Sequence, residues 1–94
     1  MTSEQLLATG PAAREAVRDA LVRFLEERLK TTVTADQDLF ACGLVNSMFA
    51  MELVVTIEQL FGVAIVGPDL QLVNFRSVDA MTDLVLRLQS ADGA

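Results

Sequence analysis

The run Gly43-Leu44-Val45-Asn46-Ser47-Met48-Phe49 sets two polar side chains inside an apolar stretch, and one of them is a hydroxyl. A serine acts as a nucleophile only when a neighbouring base activates it, and with no His in the chain a Ser/His pair is excluded. Cys42 is the single Cys, which leaves no intrachain disulfide and no His/Cys set for a structural metal. No catalytic residue and no metal site are expected. For Ser47 the residues themselves suggest two readings, a helix cap or a hydroxyl that bears a covalently attached phosphate.

Position alone keeps both roles open. Ser47 stands at the head of Ala50, Leu53, Val54, Ile57 and Phe61, one apolar stripe at helical spacing, with Gly62 where a helix ends. That spacing predicts a helix over 47–61. In its first turn the backbone N–H groups lack intrahelical acceptors and the dipole favours negative charge, so a phosphate ester built there meets free donors. Asn or Ser before an apolar stripe is more often simply a helix cap, and position alone favours that reading.

Two further helices are needed to position this one. Pro11 suits an opening turn, and Val17, Leu21, Phe24, Leu25 and Leu29 repeat at helical spacing over 11–29. Ser77 is a good N-cap with Asp79 in the following turn, and Val78, Met81, Leu84, Val85 and Leu88 form a third stripe. Residues 30–46 link the first two helices and include Val33, Leu39, Phe40 and Leu44, apolar enough to pack back onto the bundle. A link longer than connection requires often carries function. Residues 63–76 have no second strand to pair with, so Pro68 to about Val73 reads as a short helix begun by Gly67-Pro68. The chain is expected to be one domain over 1–94, with an ordered core of about 11–89 and frayed ends.

Composition narrows the function further. The chain is 52% hydrophobic with Phe as its only aromatic, which favours an aliphatic helical interior. Net charge is −6; five of seven basic residues (Arg14, Arg18, Arg23, Arg28, Lys30) fall within 11–30, and none lies between Thr31 and Phe75. Asp36, Asp38, Glu52, Glu58 and Asp69 lie inside that window. Nucleic acid is not expected as a partner, because phosphate binding needs clustered cations; a basic protein surface is the natural complement. No secretory or transmembrane segment is read from the sequence, so the expected location is cytoplasmic and no membrane partner is expected.

The combination Asp38-Leu39-Phe40, Gly43-Leu44, Asn46-Ser47-Met48 and Glu52-Leu53, continued by Ile57, Glu58, Phe61, Gly62, Val63 and Ile65 and by Phe75-Arg76-Ser77-Val78, resembles the acyl and peptidyl carrier protein family over about residues 14–89. The resemblance implies an all-α, four-helix bundle with a long loop between helices 1 and 2 and a short helix 3. It also implies that a phosphopantetheinyl transferase attaches 4′-phosphopantetheine to Ser47, with Asn46 adjoining the group at the helix start. The imported thiol would hold an acyl unit as a thioester while loading, tailoring, acyltransferase and ketosynthase enzymes do the chemistry on a monomeric carrier. The chain itself would not be an enzyme. GLVNSMFAMELV and DLQLVNFRSVDA look like freestanding carriers of unusual polyketide extender units, methoxymalonyl, hydroxymalonyl or aminomalonyl, with a glyceryl group as the starting point of the methoxymalonyl route. Alternatives are an aminoacyl or peptidyl carrier of a nonribosomal or hybrid pathway, and a non-carrier helical adaptor.

Two departures from the family pattern stand out: Asn46 replaces the usual Asp before the serine, and Val66-Gly67 replaces Pro-Asp. Met48, Met51 and Val55 occupy one helical face offset from the core stripe, either as additional core or as an apolar strip on which partners dock with Glu52 beside it. The resemblance favours docking. The predicted helix has few acids, so recognition is expected to lean on apolar contact. Cys42, beside Phe40 and Leu44, reads as an inert packing residue, and Glu58 as an ordinary solvated charge. The orientation of Phe49 is open.

Overall fold

The structure is a computed structural model that describes residues 11–93, with side-chain surroundings for 13–90. Three α-helices carry the fold: α1 (Pro11–Leu29), α2 (Ser47–Phe61) and α3 (Val78–Gly93). There is no strand among the described residues. The expected frayed ends fall partly outside the described residues, at 1–10 and Ala94; the backbone of 91–93 is helical.

Each helix buries the stripe its spacing predicts. Val17, Leu21 and Leu25 of α1 join Leu53 and Ile57 of α2 and Val78, Met81, Leu84 and Val85 of α3 in one core, with Ala50 also buried and Phe24, Leu29, Val54, Phe61 and Leu88 partly buried around the core. Fully burying a side chain such as Leu53 or Ile57 is worth about 1.5–3 kcal/mol relative to leaving it in water. Helices α1 and α3 run antiparallel. Arg14 pairs with Asp83 at 2.6 Å and Arg18 with Asp79 at 3.7 Å, so residues climbing α1 meet residues descending α3. No helix among the described residues is long and apolar enough to cross a membrane.

Residues 30–46 contain turns but no helix, and they are held at several points. Val33, Leu39 and Val45 are buried, Phe40 and Leu44 partly so. The Leu39 N–H donates to the Arg76 carbonyl at 2.8 Å, Val45 N–H to the Leu39 carbonyl at 3.0 Å, and Asp79 N–H to the Ala35 carbonyl at 2.9 Å. Asp38 closes a local turn by accepting from the N–H groups of Phe40 and Ala41.

The expected single short helix at 68–73 is instead two 3₁₀ turns, Gly67–Asp69 and Leu72–Phe75. Leu70 and Gln71 between them leave helical geometry, with Leu70 at φ −83 and ψ 67. The physical reason is burial: Leu70, Leu72 and Val73 are exposed and only Phe75 reaches the core, so no continuous apolar face rewards a full helix. The Asn74 side-chain amide also donates to the Asp69 carbonyl at 2.8 Å, giving that oxygen a partner outside any helical ladder. Before these turns Val63 and Ile65 alternate inward in an extended segment without pairing to a second strand.

Candidate functional site

The start of α2 is fixed from the residue before it. Gly43, at φ 80, turns the chain in a conformation that residues with a Cβ rarely adopt, and Val45 anchors the approach by burying its side chain. Asn46 is extended (φ −118, ψ −178); its Oδ1 accepts from the Phe49 N–H at 2.8 Å, and its carbonyl accepts from the Ala50 N–H at 2.9 Å. Asn46 is therefore the N-cap. Ser47 is the first residue of the helix, exposed, and no hydrogen bond among the described residues uses its hydroxyl. The N–H groups of Ser47 and Met48, which no helical carbonyl can reach, point out at the same terminus.

Beside Ser47 an open apolar groove of about 230 Å³ runs between α2 and the second 3₁₀ turn. Ala50, Met51 and Val54 form one wall, and Leu70, Leu72 and Phe75 the other. Sequence reading did not identify it. Its two walls are some twenty positions apart in the chain, and the far wall exists only because the 3₁₀ turns leave Leu70 and Leu72 at the surface.

The exposed face of α2 is apolar. Met48, Met51 and Val55 are 85%, 69% and 52% exposed, so they are not additional core. Glu52 lies on the same side but is not free: the two terminal guanidinium nitrogens of Arg28 reach its carboxylate, one at 2.7 Å. The guanidinium also sits 5.5 Å from the centre of the Phe49 ring. Phe49 is half-buried and packs against the core. Glu58 is more than a solvated charge, since it accepts from the Ile65 N–H at 2.8 Å and ties the extended segment to α2.

The acidic window is engaged in the same way. Asp38 takes two backbone N–H groups and Arg76, and Asp69 takes Arg87. Of the five acids between Thr31 and Phe75, only Asp36 has no hydrogen-bond or ion-pair partner among the described residues. Cys42 differs from expectation. It is exposed rather than packed, because the Asp38 turn and Gly43 swing it outward, with Sγ 3.6 Å from the Leu39 carbonyl and 3.4 Å from Gln37 Nε2.

The residues at the head of α2 fit a covalently held phosphate ester: a free hydroxyl, two unpaired N–H groups, the positive end of a helix and an adjoining groove. Comparison with curated proteins and with solved structures returns no match. A family model described as the phosphopantetheine attachment site matches residues 15–85, which span all of α2, most of α1 and the first half of α3. The chain therefore belongs to the phosphopantetheine-attachment family of carrier proteins, in which 4′-phosphopantetheine is bound covalently to a serine.

Proposed function

We propose that Ser47 is the attachment serine, and that the chain is a monomeric cytoplasmic carrier for a small acyl extender unit, of methoxymalonyl or glyceryl-derived type, in polyketide biosynthesis. The observation that carries the attachment reading is the division of labour at the helix start: Asn46 supplies the cap and leaves the exposed Ser47 hydroxyl uncommitted. Only two serines lie within residues 15–85, and the other, Ser77, is half-buried and accepts from the Ala80 N–H as the cap of α3. On this reading the two 3₁₀ turns take the place of the short third helix of a carrier-type four-helix bundle. Met48, Met51 and Val55 form the surface that the transferase and the loading, tailoring and condensing enzymes meet.

In the attachment step the Ser47 oxygen forms a bond to the pantetheine-bearing phosphorus of coenzyme A. The pyrophosphate bond breaks, adenosine 3′,5′-bisphosphate leaves, and the serine proton passes to the transferase. The N–H groups of Ser47 and Met48 then face a permanent negative charge, which the helix terminus favours. Once attached, the group supplies the thiol that carries an acyl unit.

The extender-unit reading rests on the resemblance of GLVNSMFAMELV and DLQLVNFRSVDA to carriers of that kind. Incubation with coenzyme A and a broad-specificity transferase is expected to add the mass of one phosphopantetheine. It should also raise the count of exposed thiols from one, Cys42, to two. Ser47→Ala should show neither change. An unmodified wild-type chain, or a modified Ser47→Ala, overturns the attachment reading. Intact mass of the carrier isolated with its own loading enzyme separates the cargos: an aminoacyl mass would replace the extender unit by the aminoacyl alternative.

A further inference from the structure

α2 holds only two carboxylates, and the chain itself occupies both. Glu58 is bound to the Ile65 N–H, on the way to the core. Glu52, the acid of α2 beside the Met48, Met51 and Val55 strip, is held by two nitrogens of Arg28, whose guanidinium is braced over Phe49. Asn46 adds no charge at the helix start. The surface around Ser47 is thus apolar with one internally neutralised ion pair, and the cation of that pair is half-exposed.

We infer that Arg28 is a specificity-determining residue for the partner that modifies Ser47. By holding Glu52 it keeps this face neutral, so the partner that fits is a protein whose carrier-binding surface is apolar. A partner that reads a carboxylate with clustered Lys or Arg finds that carboxylate already taken by Arg28, and must displace the guanidinium to reach it. The Arg28–Glu52 pair is a surface pair of modest worth to the fold, so its consequence lies in what it hides. This inference rests on the attachment of phosphopantetheine to Ser47.

The test uses the full chain, coenzyme A and two transferases, one with an apolar carrier-binding surface and one whose surface is rich in Arg and Lys. Values of kcat/KM are measured for wild type, Arg28→Gln, Glu52→Gln and the double variant, with thermal melts to verify folding. Arg28→Gln uncovers the Glu52 carboxylate and should raise kcat/KM with the basic-surfaced transferase about three- to tenfold at low salt, mainly through KM. The gain should vanish near 1 M salt, where the Debye length has fallen to about 3 Å. It should also vanish in the double variant, because the carboxylate is gone. The preference of wild type for the apolar-surfaced transferase should narrow correspondingly in Arg28→Gln. No gain at low salt, or a gain that survives removal of Glu52, overturns the inference while leaving Ser47 modified. Failure of the wild type to gain mass with either transferase overturns the attachment reading, and this inference with it.

Discussion

Asn46 and Ser47 divide two tasks that a single side chain cannot perform together. A hydroxyl that accepts from a backbone N–H as a cap is held inward, whereas a modifiable hydroxyl must stay free; Asn46 takes the first task, and on the proposed attachment reading Ser47 keeps the second. Asn46→Ala should therefore cost about 1 kcal/mol through loss of the cap, read as a lower urea midpoint. Asn46→Asp should keep the cap and gain roughly 0.3–1 kcal/mol from a negative charge at the helix start. Another residue-scale outcome concerns Thr82, fully buried with no partner for its hydroxyl among the described residues. Thr82→Val fills the same space without an unpaired polar atom and should stabilise the chain by about 1 kcal/mol.

At the scale of elements, the helix ends use different devices. α2 ends on Gly62, at φ 65, whose N–H closes onto the Glu58 carbonyl at 2.9 Å. α1 ends in the same left-handed conformation on Lys30, at φ 58, with its N–H on the Glu26 carbonyl at 2.8 Å. A side chain in that conformation costs roughly 1–2 kcal/mol, part of which glycine returns as greater unfolded-state entropy. Lys30→Gly should raise the thermal midpoint by about 2–5 °C for a chain of this size, while Gly62→Ala should lower stability by about 1 kcal/mol. The spacing of apolar residues sufficed to place all three α-helices, since each buries one stripe. It did not suffice for residues 67–75, where one buried Phe75 leaves the conformation to turn chemistry and the Asn74 to Asp69 bond.

For the whole molecule, the link 30–46 is as much a part of the core as the helices are. Leu39 is fully buried, and the backbone around it is bonded to residues at the start of α3. Leu39→Ala should cost about 2–5 kcal/mol, as for a helix core leucine; a denaturant midpoint close to wild type would mean that the link is a surface loop. By itself the sequence determined the three helices, the place of the candidate serine at the head of α2, and the family to which the chain belongs, because periodicity and local capping are properties of neighbouring residues. Tertiary structure decided what those residues are free to do. It matched Arg28 to Glu52 across 24 positions, gave Glu58 to Ile65, joined α2 to the 3₁₀ turns as a groove, and turned Cys42 outward. The reason is physical: a carboxylate's charge is available to a partner only if no cation or N–H of the same chain reaches it first, and that depends on which distant segments the core draws together.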